Sequence, residues 1–190
     1  QAIEQVQTVW DRFAVFLLQG VTGSGKTQVF SELIARTLAR GQQVLLLVPE
    51  IGLTGQMVDR IQTQLTGTLN VSHSGLADGA RARAYAGALS GATDVLIGTR
   101  SALFTPLPNL GLILVDEEHD SAYKNQDGAR FSARDLAIVR AKHANIPVLL
   151  SSATPALETW HHANRGRYTR LRLTERPGAD SQVTFNLIDA

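Results

Sequence analysis

Seven short β-rich runs punctuate the chain, at residues 13–18 (FAVFLL), 43–48 (QVLLLV), 70–73 (NVSH), 94–98 (DVLIG), 112–116 (LILVD), 147–151 (PVLLS) and 168–173 (YTRLRL). Segments with helical spacing of apolar positions separate most of them, at residues 28–40, 52–65, 78–89, 132–143 and 156–165. Most runs are continuously apolar rather than alternating, the pattern of strands buried on both faces of a parallel sheet. The alternation of strand and helix predicts an α/β fold, a mostly parallel central sheet flanked by helices on both faces. Ligands of such sheets collect beyond the C-terminal ends of the strands, so function is expected in the residues that follow each run. Residues 174–182 (TERPGADSQ) are polar and turn-forming, which divides the chain into one lobe over residues 1–175 and a connection over 176–190 toward a following domain.

Bulk properties narrow this picture. The 190 residues are 44% hydrophobic and 18% charged, which suits one globular unit with a full core. The chain opens at Gln1 with neither a methionine nor a leader, as an excerpt of a longer protein would, and its apolar runs are too short to cross a bilayer. A cytoplasmic location is expected. With no cysteine there is neither a disulfide nor a thiolate zinc site, so any metal used here should be a hard, oxygen-liganded ion. A net charge of +1 excludes a domain whose whole surface is a nucleic-acid footprint, and leaves only local contacts with nucleic acid. The arginines around Arg81 and Arg83, and those from Arg165 to Arg172, read as solvated faces.

The residues at the strand ends carry the chemistry. Residues 20–27 read GVTGSGKT, between a strand and a helix, and match a phosphate-binding loop. Its glycines let the backbone N–H groups of Gly20, Val21, Thr22, Gly23, Ser24 and Gly25 turn toward phosphates, and the following helix N-terminus adds its dipole. Lys26 would sit on the β and γ phosphates and the Thr27 hydroxyl on Mg²⁺. Such a loop requires a carboxylate at the end of another strand. LILVDEEH supplies Asp116, placed to hold Mg²⁺ through its water shell, and Glu117, placed to orient and deprotonate an attacking water.

The motifs GSGKT (23–27), PE (49–50), GTR (98–100), DEEH (116–119) and SAT (152–154) occur in one order. In that order they resemble the first RecA-like lobe of superfamily 2 helicases with a DExH box. More narrowly, LVPEIGLT, HSGL, IGTRSALFTP, NLGLILVDEEHD, ARDLA, VRAK and SSATPALE are similar to the PriA family of replication-restart DNA helicases, over residues 17 to about 158. The resemblance implies an ATP- and Mg²⁺-dependent 3′-to-5′ DNA translocase acting at stalled or abandoned forks. Its partners would be single-stranded and forked DNA, a second helicase lobe in the same chain, other primosome proteins and single-stranded-DNA-binding protein; the family carries its zinc outside this segment. It further implies that Glu118, His119, Ser152 and Thr154 link nucleotide to DNA, and that Thr54, Thr99, Arg100 and Ser101 grip a DNA backbone. Arg100 could instead pair with an internal carboxylate. Tyr123, Lys124, Arg130 and Phe131 would belong to an aromatic-rich loop that meets single-stranded DNA, and Gln5 would read adenine. The chain departs from the family at Ala129 (usually Trp), Ser132 (often His) and Ser151 (usually Gly). His161 and His162 read as structural. Another superfamily 2 motor, such as a restriction-enzyme translocase or an RNA helicase, a small-molecule kinase with a phosphate loop, and a nucleotide-independent scaffold are the alternatives.

Overall fold

The computed structural model describes residues 2–21, 23–49, 58–59, 61–63, 65 and 67–173. Its strands are β1 (Ala14–Gln19), β2 (Gln43–Leu47), β3 (Leu69–Ser72), β4 (Val95–Gly98), β5 (Leu110–Val115), β6 (Lys124–Asn125), β7 (Phe131–Ser132), β8 (Pro147–Ser152) and β9 (Thr169–Arg172). Among the described residues, its helices are α1 (Ala2–Gln7), α2 (Lys26–Ala39), α3 (Asp78–Leu89), α4 (Ala133–Ala144) and α5 (Leu157–Asn164); residues 58–59 and 61–62 are also helical, and 3₁₀ turns lie at Arg100–Phe104 and Ser121–Tyr123. Seven strands form one parallel sheet in the order β3-β4-β2-β5-β8-β1-β9, while β6 and β7 form a separate antiparallel hairpin.

Side chains alternate across a strand, and here both faces find a core. Val44 and Leu46 of β2, with Leu112 and Leu114 of β5, pack under Val29, Phe30, Leu33 and Ile34 of α2. Leu45, Leu47, Ile113 and Val115 face the other way, onto Ala133, Ala137 and Ala141 of α4 and onto Tyr123. Each buried leucine or valine contributes about 1.5–3 kcal/mol, which explains why these runs carry no polar interruption. Helix α4 starts where Ser132 Oγ accepts the Asp135 N–H and stops at Asn145, a left-handed residue at φ 55°. The Asn145 side chain accepts from Phe13 N at 3.1 Å and donates to Asp11 O at 3.0 Å, pinning this helix end to the start of β1.

The observed strands fall within two residues of the expected ones. The pattern did not disclose α1, the 3₁₀ turns or the β6–β7 hairpin, whose two-residue strands are too short to carry a period. Most of the helix expected over 52–65 lies outside the described residues, as do the polar stretch from 174 and the connection 176–190. One arginine departs from expectation: Arg170 is not merely solvated, because it lies over the Trp160 ring at 3.9 Å and donates to Gln19 Oε1 at 2.8 Å. Among the described residues no helix is long and apolar enough to cross a membrane.

Gly98 closes β4 against β3. A Cβ there would lie 2.3 Å from the Ser72 carbonyl oxygen and 2.3 Å from Ala102 Cβ. We expect Gly98→Ala to lower the urea unfolding midpoint by the equivalent of about 1–3 kcal/mol; an unchanged midpoint would mean that the β3–β4 end yields freely.

Candidate active site

Strand β1 delivers the phosphate loop beside the end of β8. Gln19 pairs with Ser152, and Gly20 N donates to Ser152 O at 3.2 Å. Gly23 and Gly25 take φ of 81° and 91°, a region that glycine enters without penalty. Gly20 is small for another reason: a Cβ would meet Ser24 Oγ at 2.3 Å. No side chain caps α2, so its first amides remain available to an anion. Ser24 Oγ is buried without a protein partner, a further group suited to an anionic oxygen. Thr22 lies outside the described residues; Thr27 is half-buried in the first turn of α2.

The acid box meets this loop from the other side of β8. Asp116 N donates to Leu47 O at 2.9 Å, continuing the β2–β5 ladder, and Oδ1 accepts from Ser151 Oγ at 3.0 Å. Burial, reinforced by the neighbouring Glu117 charge, raises the Asp116 pKa above the usual 3.8, while Ser151 and Lys26 oppose that shift. Glu117 has φ 43°, a strained conformation for a side-chain-bearing residue. Its Oε1 lies 3.0 Å from Lys26 Nζ, which also donates to Gly20 O at 3.0 Å. The phosphate-loop lysine and the acid box thus face one another directly. The Lys26 and Glu117 side chains are 11% and 31% exposed, so the pair is partly shielded rather than a surface contact.

Three of the four residues expected to link nucleotide and DNA come together. Ser152 Oγ is 2.7 Å from His119 Nδ1 and accepts the Thr154 N–H at 3.0 Å, while His119 Nδ1 is 3.6 Å from Glu117 Oε2. Glu118 has a different setting. It is 2% exposed, and its carboxylate accepts from Arg134 at 3.2 Å, Ala156 N at 2.8 Å and Thr159 Oγ1 at 2.8 Å. The described partners of this carboxylate belong to α4, α5 and the turn before α5, so it fastens those elements to the acid box. Sequence reasoning missed Arg134 and Thr159, although Arg134 lies within the ARDLA motif.

Among the residues expected on DNA, Tyr123 requires correction. It is 1% exposed, packed in the core, and its hydroxyl donates to Asp116 O at 2.7 Å, so it presents no face to a base. Burial first, then the Asp116 charge, raises its pKa well above 10.0. Arg100 donates to Lys124 O at 2.9 Å rather than to an internal carboxylate. Ser101, Lys124 and Arg130 are exposed and Thr99 is half-buried; Thr54 lies outside the described residues. Phe131 packs edge-on against Phe104, centroids 5.3 Å apart, and Phe104 is 60% exposed. Phe104 is an aromatic candidate that sequence reasoning passed over. Arg140 of α4 holds this region by donating to Leu103 O and, at 2.9 Å, to Thr105 O. Ser132 serves as the α4 cap, Gln5 is exposed on α1, and His162 packs on Tyr168 at 5.0 Å.

The donors suit a Mg²⁺-bound nucleoside triphosphate: one lysine, glycine-borne amides, an unpartnered buried hydroxyl, and Asp116 and Thr27 as oxygen ligands. Among the described residues no group of three or more His, Cys, Asp or Glu is gathered.

Two outcomes follow. A carboxyl with a raised folded-state pKa binds its proton more tightly folded than unfolded, so stability falls as pH rises from about 3.8 through the folded value. Asp116→Asn should therefore raise the urea midpoint at pH 7, with the gap closing in acid; a lower midpoint at pH 7 would contradict this. Glu118→Ala leaves Arg134 buried without its inner partner and should lower stability by about 3 kcal/mol; denaturant unfolding at neutral pH measures it.

The DEAD/DEAH box helicase family model matches residues 1–162. The replication restart protein PriA of Haemophilus influenzae is 50% identical over 93% of this chain and 24% of its own length, and that of Bacillus subtilis is 42% identical over 94% of this chain and 22% of its own. The chain therefore spans about a quarter of the length of these curated relatives. RecG bound to a three-way DNA junction superposes with a TM-score of 0.68 at 21% identity, covering 93% of this chain and 23% of that one. A DEAD box protein from the hyperthermophile Methanococcus jannaschii gives 0.61 at 18% identity, covering 90% and 48%. These likenesses make the fold RecA-like. The glycine loop, the paired lysine and acid box, and the model that spans them agree: the chain belongs to the DEAD/DEAH box helicase family.

Proposed function

We propose that the chain is the ATP-binding lobe of a longer, cytoplasmic, ATP-dependent DNA helicase that translocates 3′ to 5′ and unwinds stalled or abandoned forks for replication restart. The observation that carries the ATPase reading is the 3.0 Å contact between Lys26 of the phosphate loop and Glu117 of the acid box. The identity to PriA proteins carries the rest. ATP enters as substrate. Gly20 to Gly25 and the first turn of α2 hold its phosphates, and Gln5 meets the base. Lys26 leaves Glu117 for the β and γ phosphates, which frees the carboxylate. Glu117 then orients water and takes its proton as the water oxygen bonds to the γ phosphorus and the β–γ bridge breaks, giving ADP and phosphate. Thr27 and Asp116 would hold Mg²⁺ together with water, and the ion would supply neutralisation of the phosphate charge.

His119, Ser152 and Thr154 carry the nucleotide state toward the DNA side, with Glu118 bracing them. Thr54, Thr99, Arg100, Ser101, Lys124, Arg130 and Phe131 meet single-stranded and forked DNA. A second lobe in the same chain would add the arginine finger, and primosome proteins and single-stranded-DNA-binding protein are the expected partners. Lys124 and Arg130 are exposed on the hairpin that carries Phe131, whose ring packs against exposed Phe104, and this mix of cations and aromatics supports the reading.

For the full-length protein we expect ATP hydrolysis stimulated by forked DNA and not by RNA. Lys26→Ala and Glu117→Gln should each lower the stimulated rate by about 10²-fold or more, with Glu117→Gln still binding ATP. Equal stimulation by RNA would favour an RNA motor, and phosphate transfer to a metabolite would favour a kinase.

A further inference from the structure

Asp116 is held at two points. Tyr123 donates to its backbone carbonyl at 2.7 Å, and Ser151 Oγ donates to its Oδ1 at 3.0 Å. Ser151 is fully buried on β8, the strand that separates β5 from β1 and so lies between the acid box and the phosphate loop. Its place opposite Asp116 is fixed by the sheet: Leu114 pairs with Leu149 and Val115 with Leu150, and Glu118 N donates back to Ser151 O at 2.9 Å. A carboxylate on a strand end has two free torsions and two equivalent oxygens. A buried hydroxyl with a fixed backbone selects one orientation and occupies one oxygen. A glycine or alanine at 151 would leave Asp116 to choose.

We infer that Ser151 is a positioning residue for the metal: its hydroxyl occupies Oδ1 of Asp116 and leaves Oδ2 to meet the water shell of Mg²⁺. The inference rests on the ATPase reading above and adds to it a residue outside the phosphate loop and acid box. Ser151 touches neither substrate nor ion. It acts through Asp116 alone, so its effect belongs to metal affinity and not to binding of the bare nucleotide.

The test is an equilibrium titration of the full-length protein with a fluorescent ATP analogue, across Mg²⁺ concentrations and in EDTA. Ser151→Ala, and Ser151→Gly as a second variant that cannot overpack, should raise the half-saturating Mg²⁺ concentration about tenfold, the size of one hydrogen bond to a charged group. Affinity in EDTA should stay unchanged in both. Ser151→Thr, which keeps the hydroxyl, should restore the Mg²⁺ dependence of the unaltered protein. An unshifted Mg²⁺ midpoint in both Ser151→Ala and Ser151→Gly would overturn the inference, and so would a proportional loss of affinity in EDTA, which would mark a packing defect in β8. Nucleotide binding by the unaltered protein that ignores Mg²⁺ altogether would overturn the ATPase reading itself, and this inference with it.

Discussion

The contact between Lys26 and Glu117 joins the two halves of the site, and it exists only because the sheet brings two strand ends together. Lys26 begins α2 after β1, and Glu117 follows β5; β8 lies between those strands. In a parallel sheet all the C-terminal ends lie on one edge, so residues 91 positions apart in the chain meet at 3.0 Å. Lysine and carboxylate shield each other in a pocket where either charge alone would be poorly solvated. On the proposed ATPase reading the same pairing would make the site responsive, since a triphosphate would compete with Glu117 for the ammonium group.

Around this contact the four consecutive residues of the acid box diverge. Asp116 continues the strand ladder and is fixed by Ser151. Glu117 turns through a left-handed conformation onto Lys26. Glu118 points into the protein and is satisfied by Arg134, Ala156 and Thr159, while His119 reaches Ser152. A buried carboxylate with three donors is stable because both of its oxygens find partners. Glu118 thus anchors the acid box from within. Tyr123 ties the Asp116 carbonyl to the segment that ends at Lys124, whose own carbonyl receives Arg100, so the nucleotide side and the hairpin side share one short stretch of backbone.

The parallel sheet, the phosphate loop and the first two acids were legible in the sequence because each is a local pattern: apolar runs report two-sided burial, and glycine spacing reports the loop. What escaped was decided by distant partners. Glu118 looks like any solvated acid until Thr159, 41 residues away, accounts for it. Tyr123, in the mostly polar stretch DSAYKNQD, reads as a surface aromatic, yet its ring completes the core beneath β5 and its hydroxyl has a backbone acceptor. Phe104 went unnoticed because its neighbour in space, Phe131, lies beyond β5 and the acid box in the chain, a pairing that leaves no periodic trace. Ser151 stood out as a departure from the family pattern, but only the register of β8 against β5 shows what the hydroxyl does.

The most direct measurement of the central claim is a crystal structure of the protein with a non-hydrolysable ATP analogue and Mg²⁺. The account predicts that Lys26 Nζ leaves Glu117 Oε1 for the β and γ phosphates, with the ion between Thr27 and Asp116. An intact 3.0 Å Lys26–Glu117 contact with nucleotide bound at a different surface would contradict it.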